Sequence, residues 1–189
     1  MKTESTAKYV IRLAATLLII TAVVAVALAG VNSITAPKIA AFKWQKLQNA
    51  IEEVLPGGGE SMEYITFVQD ISDAYQGENG YAVAVTPSGF GGPISMMVGV
   101  SNDGEVLGIS IVSQTETAGL GAVSAAKTSA GEAFRGQFAG MSGSVAVTKD
   151  GGQVDAITGA TITSRAICSG VNSALEFVAE QQETAAGQG

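Results

Sequence analysis

The chain has 189 residues, 47% of them apolar and 14% charged, with 24 glycines; this is too apolar for a disordered tail and fits one folded domain plus a membrane segment. With no histidine and one cysteine, Cys168, it cannot build a histidine-based catalytic triad, a histidine-ligated haem, an intrachain disulfide or a four-cysteine metal site, so any redox role needs a bound organic cofactor. Ten Lys and Arg against 17 Asp and Glu give a formal net charge of −7, which repels a phosphate backbone and excludes nucleic acid as a partner.

Residues 13–31, from Leu13 to Val31, form a run without charge. At the helical rise its length matches the roughly 30 Å hydrocarbon core of a bilayer, so a single transmembrane helix is expected. A rival reading is a cleaved signal peptide, because Ala27-Leu28-Ala29 has the small-x-small pattern of a cleavage site. Lys2, Lys8 and Arg12 on one side are balanced by Lys38, Lys43 and Lys46 on the other, so charge leaves the orientation nearly tied. A first apolar helix behind a short tail acts as a signal anchor, which puts residues 1–12 in the cytoplasm and the bulk of the chain outside.

Beyond the membrane run, Ile39, Phe42, Leu47, Ile51, Val54 and Leu55 recur near a 3.6-residue period until Pro56 and Gly57 to Gly59, predicting a stalk helix and linker over 32–59. Trp44 on it serves either as an interfacial anchor or as a contact to a partner, and Glu52 and Glu53 mark a solvated face. Strands are expected at 64–68, 81–86, 94–100 and 106–112, the last two joined by a hairpin at Asp103-Gly104. Met96 and Met97 then point to opposite faces of one strand. A glycine-dense middle section precedes strands at 145–147 and 154–157, and a final amphipathic helix carries Ile167, Val171, Leu175 and Val178 on one face. Cys168 on that helix is expected to be a buried apolar filler. The fold class is α+β around a largely antiparallel sheet, with the domain over 60–180 and a loose tail over 181–189.

The segment Asp155-Ala156-Ile157-Thr158-Gly159-Ala160-Thr161-Ile162-Thr163-Ser164 lies where a strand gives way to the final helix. Gly159 and Ala160 let the backbone bend and approach a ligand, Thr163 or Ser164 can cap the helix, and the helix's first free N–H groups favour a phosphate. Four hydroxyls, from Thr158, Thr161, Thr163 and Ser164, are expected to converge there. The same pattern is also that of an ordinary capped helix start, and spacing alone leaves both readings open.

This segment resembles the flavinylation motif of the FMN-binding domain family, in which the threonine closing an (S/T)-G-A-T element carries FMN through a phosphoester. The resemblance implies that a separate flavin transferase, using FAD and magnesium, attaches FMN to Thr161, with Asp155 and Thr158 as further recognition positions and Gly159, Ala160, Ile162, Thr163 and Ser164 completing the site. Two more segments match the family, and more narrowly the G subunits of Rnf ion-translocating electron-transport complexes. Gly89-Phe90-Gly91-Gly92-Pro93-Ile94 resembles G-Y-G-G-P-I, and Gln114-Thr115-Glu116-Thr117-Ala118-Gly119-Leu120-Gly121 resembles an H-x-E-T-P-G-L-G loop against the flavin ring. Gln114 stands where histidine is common, so a proton-donor role for that side chain is not carried over, while Glu116, Thr117, Gly119, Leu120 and Gly121 remain as loop contacts. The resemblance implies an electron-relay subunit without catalysis of its own in a membrane-bound ferredoxin:NAD oxidoreductase, with the other membrane subunits, a flavin transferase and membrane lipid as partners. The C subunit of the sodium-translocating NADH:quinone reductase shares the motif and is the alternative. A stand-alone extracytoplasmic flavoprotein and a non-redox binding module remain as readings of other classes.

Overall fold

The computed structural model describes residues 6–62, 64, 66 and 68–186. Two compact units divide the chain at Gln45 and Lys46. The first unit consists of helix α1, which runs Thr6–Val54 and continues into the second. It is long and apolar enough to cross a membrane. Thr16 and Thr21, the hydroxyls inside the uncharged run, donate to carbonyls three and four residues back, for instance Thr16 to Leu13 at 2.8 Å and Thr21 to Leu17 at 3.0 Å. Such back-bonding satisfies both hydroxyls within the helix itself. Where the sequence suggests a membrane helix followed by a separate stalk helix, one helix passes through both and through Pro37, whose missing N–H removes a single ladder bond without ending it.

The second unit is built on a five-stranded antiparallel meander: β1 Glu60–Ser61, β2 Ile71–Gly77, β3 Gly80–Val85, β4 Ser95–Ser101 and β5 Val106–Ser113, in that spatial order. The expected Asp103-Gly104 hairpin joins β4 to β5, paired from Ser95 opposite Ser113 to Val100 opposite Val106 with register shifts between Ser95 and Met96 and between Gly99 and Val100. β2 escaped the sequence pattern because only Ala74 and Tyr75 of its seven residues are buried. The stretch expected as a strand at 64–68 lies partly outside the described residues; Tyr64 within it meets the Phe177 ring edge-on at 5.0 Å. The strands expected at 145–147 and 154–157 reduce to one parallel bridge between Val147 and Val154. The glycine-dense section before them holds a short helix α2, Ser129–Gly136, capped by Thr128, whose side chain accepts from the Gly131 N–H at 3.3 Å.

Alternation along the central strands creates two cores. Tyr81, Val83, Val85, Met96, Val98 and Val100 face helix α3, Thr161–Ala186, and meet its Ile167, Val171, Ala174 and Phe177. On the opposite face Ala82, Ala84 and Met97 receive the last turns of α1 through Ala50, Ile51 and Val54, with Leu55 just beyond its end. Met96 and Met97 therefore do point to opposite cores. The end of α1 is a structural layer of the domain; Glu52 and Glu53 on it are exposed, as expected, and Glu53 also accepts a hydrogen bond from the Ser110 hydroxyl at 2.7 Å. α3 extends to Ala186, past Gln181, where the sequence suggests a loose tail; residues 187–189 lie outside those described. Its Cys168 is buried, and desolvation pushes the thiol up to about 11.

Two outcomes follow from this packing. A Cβ on Gly99 would collide with the Val54 carbonyl, whereas one on Gly108 would meet open space. Gly99→Ala is expected to cost about 1–3 kcal/mol and Gly108→Ala almost nothing, read as unfolding midpoints of the detergent-solubilised chain. The Cys168 thiol is expected to react with an aromatic disulfide reagent at pH 8 orders of magnitude more slowly in the folded chain than after denaturation.

Candidate functional site

β3 ends, β4 begins and β5 ends on the same side of the sheet, with Val85 opposite Met96 and Ser95 opposite Ser113. The connections leaving that end, 86–94 and 114–120, therefore meet one another, and the start of α3 reaches them. The buried Glu116 carboxylate holds the three together. Its Oε1 accepts from the Gly91 N–H at 2.9 Å and its Oε2 from the Thr163 hydroxyl at 2.6 Å. Thr115 adds a second tie by donating to the Gly91 carbonyl at 3.0 Å. Glycine is required around this carboxylate: a Cβ on Gly121 would sit 2.5 Å from Thr163 Oγ1 and 2.7 Å from Glu116 Oε2, and one on Gly89 would strike Glu116 Oε1.

Between these segments lies a cleft of about 390 Å³. Of the residues singled out in the sequence, Glu116, Thr117, Leu120 and Gly121 line it from the loop side, and Gly159, Ala160, Thr161, Ile162 and Thr163 from the helix side. Gly159 has φ +75°, a left-handed conformation that turns the chain into α3. Gly119, also left-handed at φ +76°, shapes the loop without lining the cleft. Asp155 and Thr158 do not line the cleft either and stand exposed on the approach to the helix. The backbone of Asp155 is pinned by Gln137, whose side chain accepts from the Asp155 N–H at 2.7 Å.

The four hydroxyls expected to converge do not do so. α3 begins at Thr161, and the first backbone bond described at its start runs from the Ser164 N–H to the Ala160 carbonyl at 3.0 Å. Thr163 and Ser164 thus lie within the first turn rather than at its cap. Thr163 is spent on Glu116. Ser164, fully buried, donates to the Ala160 carbonyl and accepts from the Ile157 N–H, each at 3.0 Å, which fixes the bend and leaves it no contact with the cleft. Thr158 is outside. Only Thr161 remains with its hydroxyl in the cleft, half-buried, accepting from Lys149 Nζ at 3.3 Å and, among the described residues, donating to none.

Lys149 was not signalled by the sequence, since it belongs to no motif and lies 12 residues before its partner. Phe90 is the other contributor outside the expected set. With Leu120 and Ile162 it forms an apolar rim; these side chains are 69%, 42% and 52% exposed and account for three of the four exposed large apolar residues described in the second unit. The cleft thus combines an apolar rim, glycine-thin walls, the unpaired first-turn N–H groups of α3 and a lysine. That donor set fits a planar aromatic group joined to a phosphate, the phosphate at the helix start and the ring on the rim.

The Glu116 tie yields a prediction. Glu116→Ala strands the buried Thr163 hydroxyl and opens the Gly91 N–H, on an exposed loop, to water, at a cost on the order of 1–3 kcal/mol, and Glu116→Gln, which keeps one acceptor, costs less. Hydrogen exchange should show the Gly91 amide losing protection in both variants, more strongly in the alanine.

Comparison with known proteins is consistent with this geometry. Residues 89–176 match the family described as FMN-binding domain. The chain is 39% identical over 157 residues to the G subunit of the proton-translocating ferredoxin:NAD(+) oxidoreductase complex of Clostridium ljungdahlii, covering 80% of this chain and 82% of that one. It is 34% identical over 195 residues to the G subunit of the Na(+)-translocating ferredoxin:NAD(+) oxidoreductase complex of Acetobacterium woodii, covering 89% and 91%. To the G subunit of the ion-translocating oxidoreductase complex of Methanosarcina acetivorans it is 30% identical over 192 residues, covering 94% and 99%. The likeness runs through the apolar helix as well as the domain, and the chain belongs to the G-subunit family of the ion-translocating oxidoreductase, or Rnf, complexes.

Proposed function

We propose that this chain is the electron-relay subunit of a membrane-bound ion-translocating ferredoxin:NAD oxidoreductase complex, carrying FMN as a phosphoester of Thr161. The single observation behind the attachment is the Thr161 hydroxyl: of the four in its motif it alone opens into the cleft with its proton uncommitted. The names of the relatives support the assembly, and the FMN-binding domain match supports the cofactor.

When bound, the flavin supplies the electron-carrying chemistry that a chain without histidine, metal cluster or disulfide lacks. The protein's own residues tether, orient and shield. Thr161 provides the ester oxygen. The first-turn N–H groups of α3 face the phosphate and favour its charge. Phe90, Leu120 and Ile162 offer apolar surface to the ring, while Thr117, Gly119 and Gly121 shape the loop beside it and Gly159 and Ala160 form the opposing wall. Thr163 holds Glu116 and so keeps the loop against the helix. Asp155 and Thr158, exposed on the approach, are within reach of an incoming flavin transferase. α1 anchors the domain in lipid, in contact with the other membrane subunits, and the domain lies on the extracytoplasmic side, where an ester retains a cofactor that would otherwise diffuse away. The chain turns over no substrate by itself.

The reading is tested on the full chain produced with and without a flavin transferase, by intact mass, in-gel fluorescence and peptide mapping. A gain of FMN less one water on the peptide containing Thr161 is expected, with Thr161→Val folded but unlabelled and Thr161→Ser labelled in part. A folded Thr161→Val chain that is fully flavinylated would overturn it.

A further inference from the structure

The cation beside the Thr161 hydroxyl belongs to no motif, yet the backbone that carries it is tied at several points. Lys149 is the middle residue of a single 3-10 turn, Thr148–Asp150. The turn is closed on itself by the Asp150 N–H to the Val147 carbonyl at 2.8 Å and the Gly151 N–H to the Thr148 carbonyl at 3.1 Å, and tied to the next strand segment by the Thr148 N–H to the Val154 carbonyl at 2.9 Å. Asp150 then locks it to α3. Both of its oxygens meet the Arg165 guanidinium, Oδ2 with Nε and Oδ1 with Nη2, each at 2.6 Å. This planar fork fixes orientation as well as distance, and the Arg165 guanidinium holds the Asp150 carboxyl below its ordinary range. Arg165 is four residues after Thr161, on the same face of the helix, so the fork sets the turn over the first turn of α3. Lys149 is left to point at Thr161, with Nζ 3.3 Å from Oγ1.

We propose that Lys149 is a positioning residue for the attachment step, holding Thr161 Oγ1 in the cleft and stabilising the charge that develops on that oxygen and on the phosphate it attacks. The proposal rests on Thr161 being the flavin acceptor. An ammonium has donors only, so its bond to Oγ1 occupies a lone pair and leaves the hydroxyl proton free to depart. In the transfer, a bond forms between Thr161 Oγ1 and the flavin-side phosphorus of a flavin adenine dinucleotide. The phosphoanhydride P–O bond breaks, AMP leaves with the bridging oxygen, and the hydroxyl proton passes to a base on the transferase; no atom changes oxidation state. Negative charge grows on Oγ1 and on the non-bridging phosphate oxygens, where Lys149 and the helix N-terminus both lie, and a fixed cation there lowers the barrier more than it favours the neutral ground state. In the product the same ammonium faces the phosphodiester. In a chain of net charge −7, this local positive site is the work of one turn and one fork.

The test uses the full detergent-solubilised chain as substrate for a purified flavin transferase with FAD and magnesium, following flavinylation by intact mass. Lys149→Met is expected to lower the kcat of labelling roughly tenfold to a hundredfold while KM for the chain and the unfolding midpoint hold. Lys149→Arg, which keeps the cation, should recover most of the rate, and Lys149→Gln, which keeps only a neutral donor, should not. Equal kcat in wild type and Lys149→Met overturns the proposal, as does a rise in KM at constant kcat, which would assign Lys149 to docking of the transferase. A wild-type chain that takes no flavin under conditions that label a competent control is a different result: it refutes the acceptor assignment itself, and the role of Lys149 falls with it.

Discussion

The site depends on one buried carboxylate. Glu116 accepts from a backbone N–H of the β3–β4 connection and from a hydroxyl in the first turn of α3, so three stretches distant in sequence are held at one point by two hydrogen bonds of 2.9 and 2.6 Å. The bond to Thr163 is buried, so it is strong when made and costly when one partner is removed, while the bond to Gly91 lies nearer the surface. The glycines at 89, 91 and 121 follow from it, since a Cβ at any of them would displace the carboxylate or the loop it holds. Motif residues read as ligand contacts thus include several whose first task is to let the protein touch itself.

The same junction sorts the hydroxyls. Thr163 and Ser164 are consumed by Glu116 and by the bend at Ala160, and Thr158 remains outside, so of the four hydroxyls in this segment Thr161 is the one at the cleft whose proton has no acceptor among the described residues. A residue at the first position of a helix has a side chain beside unpaired N–H groups, and an oxygen there gains from the local positive potential without being needed as a cap. The Asp150–Arg165 fork, by placing Lys149, adds a full charge to that partial one.

The two cores explain why so small a domain can hold an exposed cleft at one end. The sheet is covered on one face by α3 and on the other by the last turns of α1, with adjacent Met96 and Met97 each buried on its own side. With both faces filled, the loops at the sheet's end add only a few side chains such as Ile94 to the core, and the exposed apolar side chains Phe90, Leu120 and Ile162 stay on the rim. Exposed apolar surface of this kind is costly unless something covers it, which is the physical reason to expect a flat aromatic ligand there.

Much of this was legible in the sequence. The uncharged run, the alternation of the central strands, the Asp103-Gly104 hairpin and the final amphipathic helix are local patterns, written in residues close together in the chain. The motif residues around Thr161 and Glu116 were legible as well. Strands without alternation were not: β2 buries too little to show a period, and Val147 and Val154 pair only because folding brings them together. Nor could spacing tell which hydroxyl stays free, that Glu53 bonds Ser110, or that Lys149 meets Thr161, because each depends on contacts between separate elements. The sequence by itself determined the membrane-length helix, the central strands and the final helix, through periodicity and composition. Tertiary structure alone decided which motif side chains are spent on holding the protein together and which are left for chemistry, because a hydrogen-bond partner is chosen by position in space and not by distance along the chain.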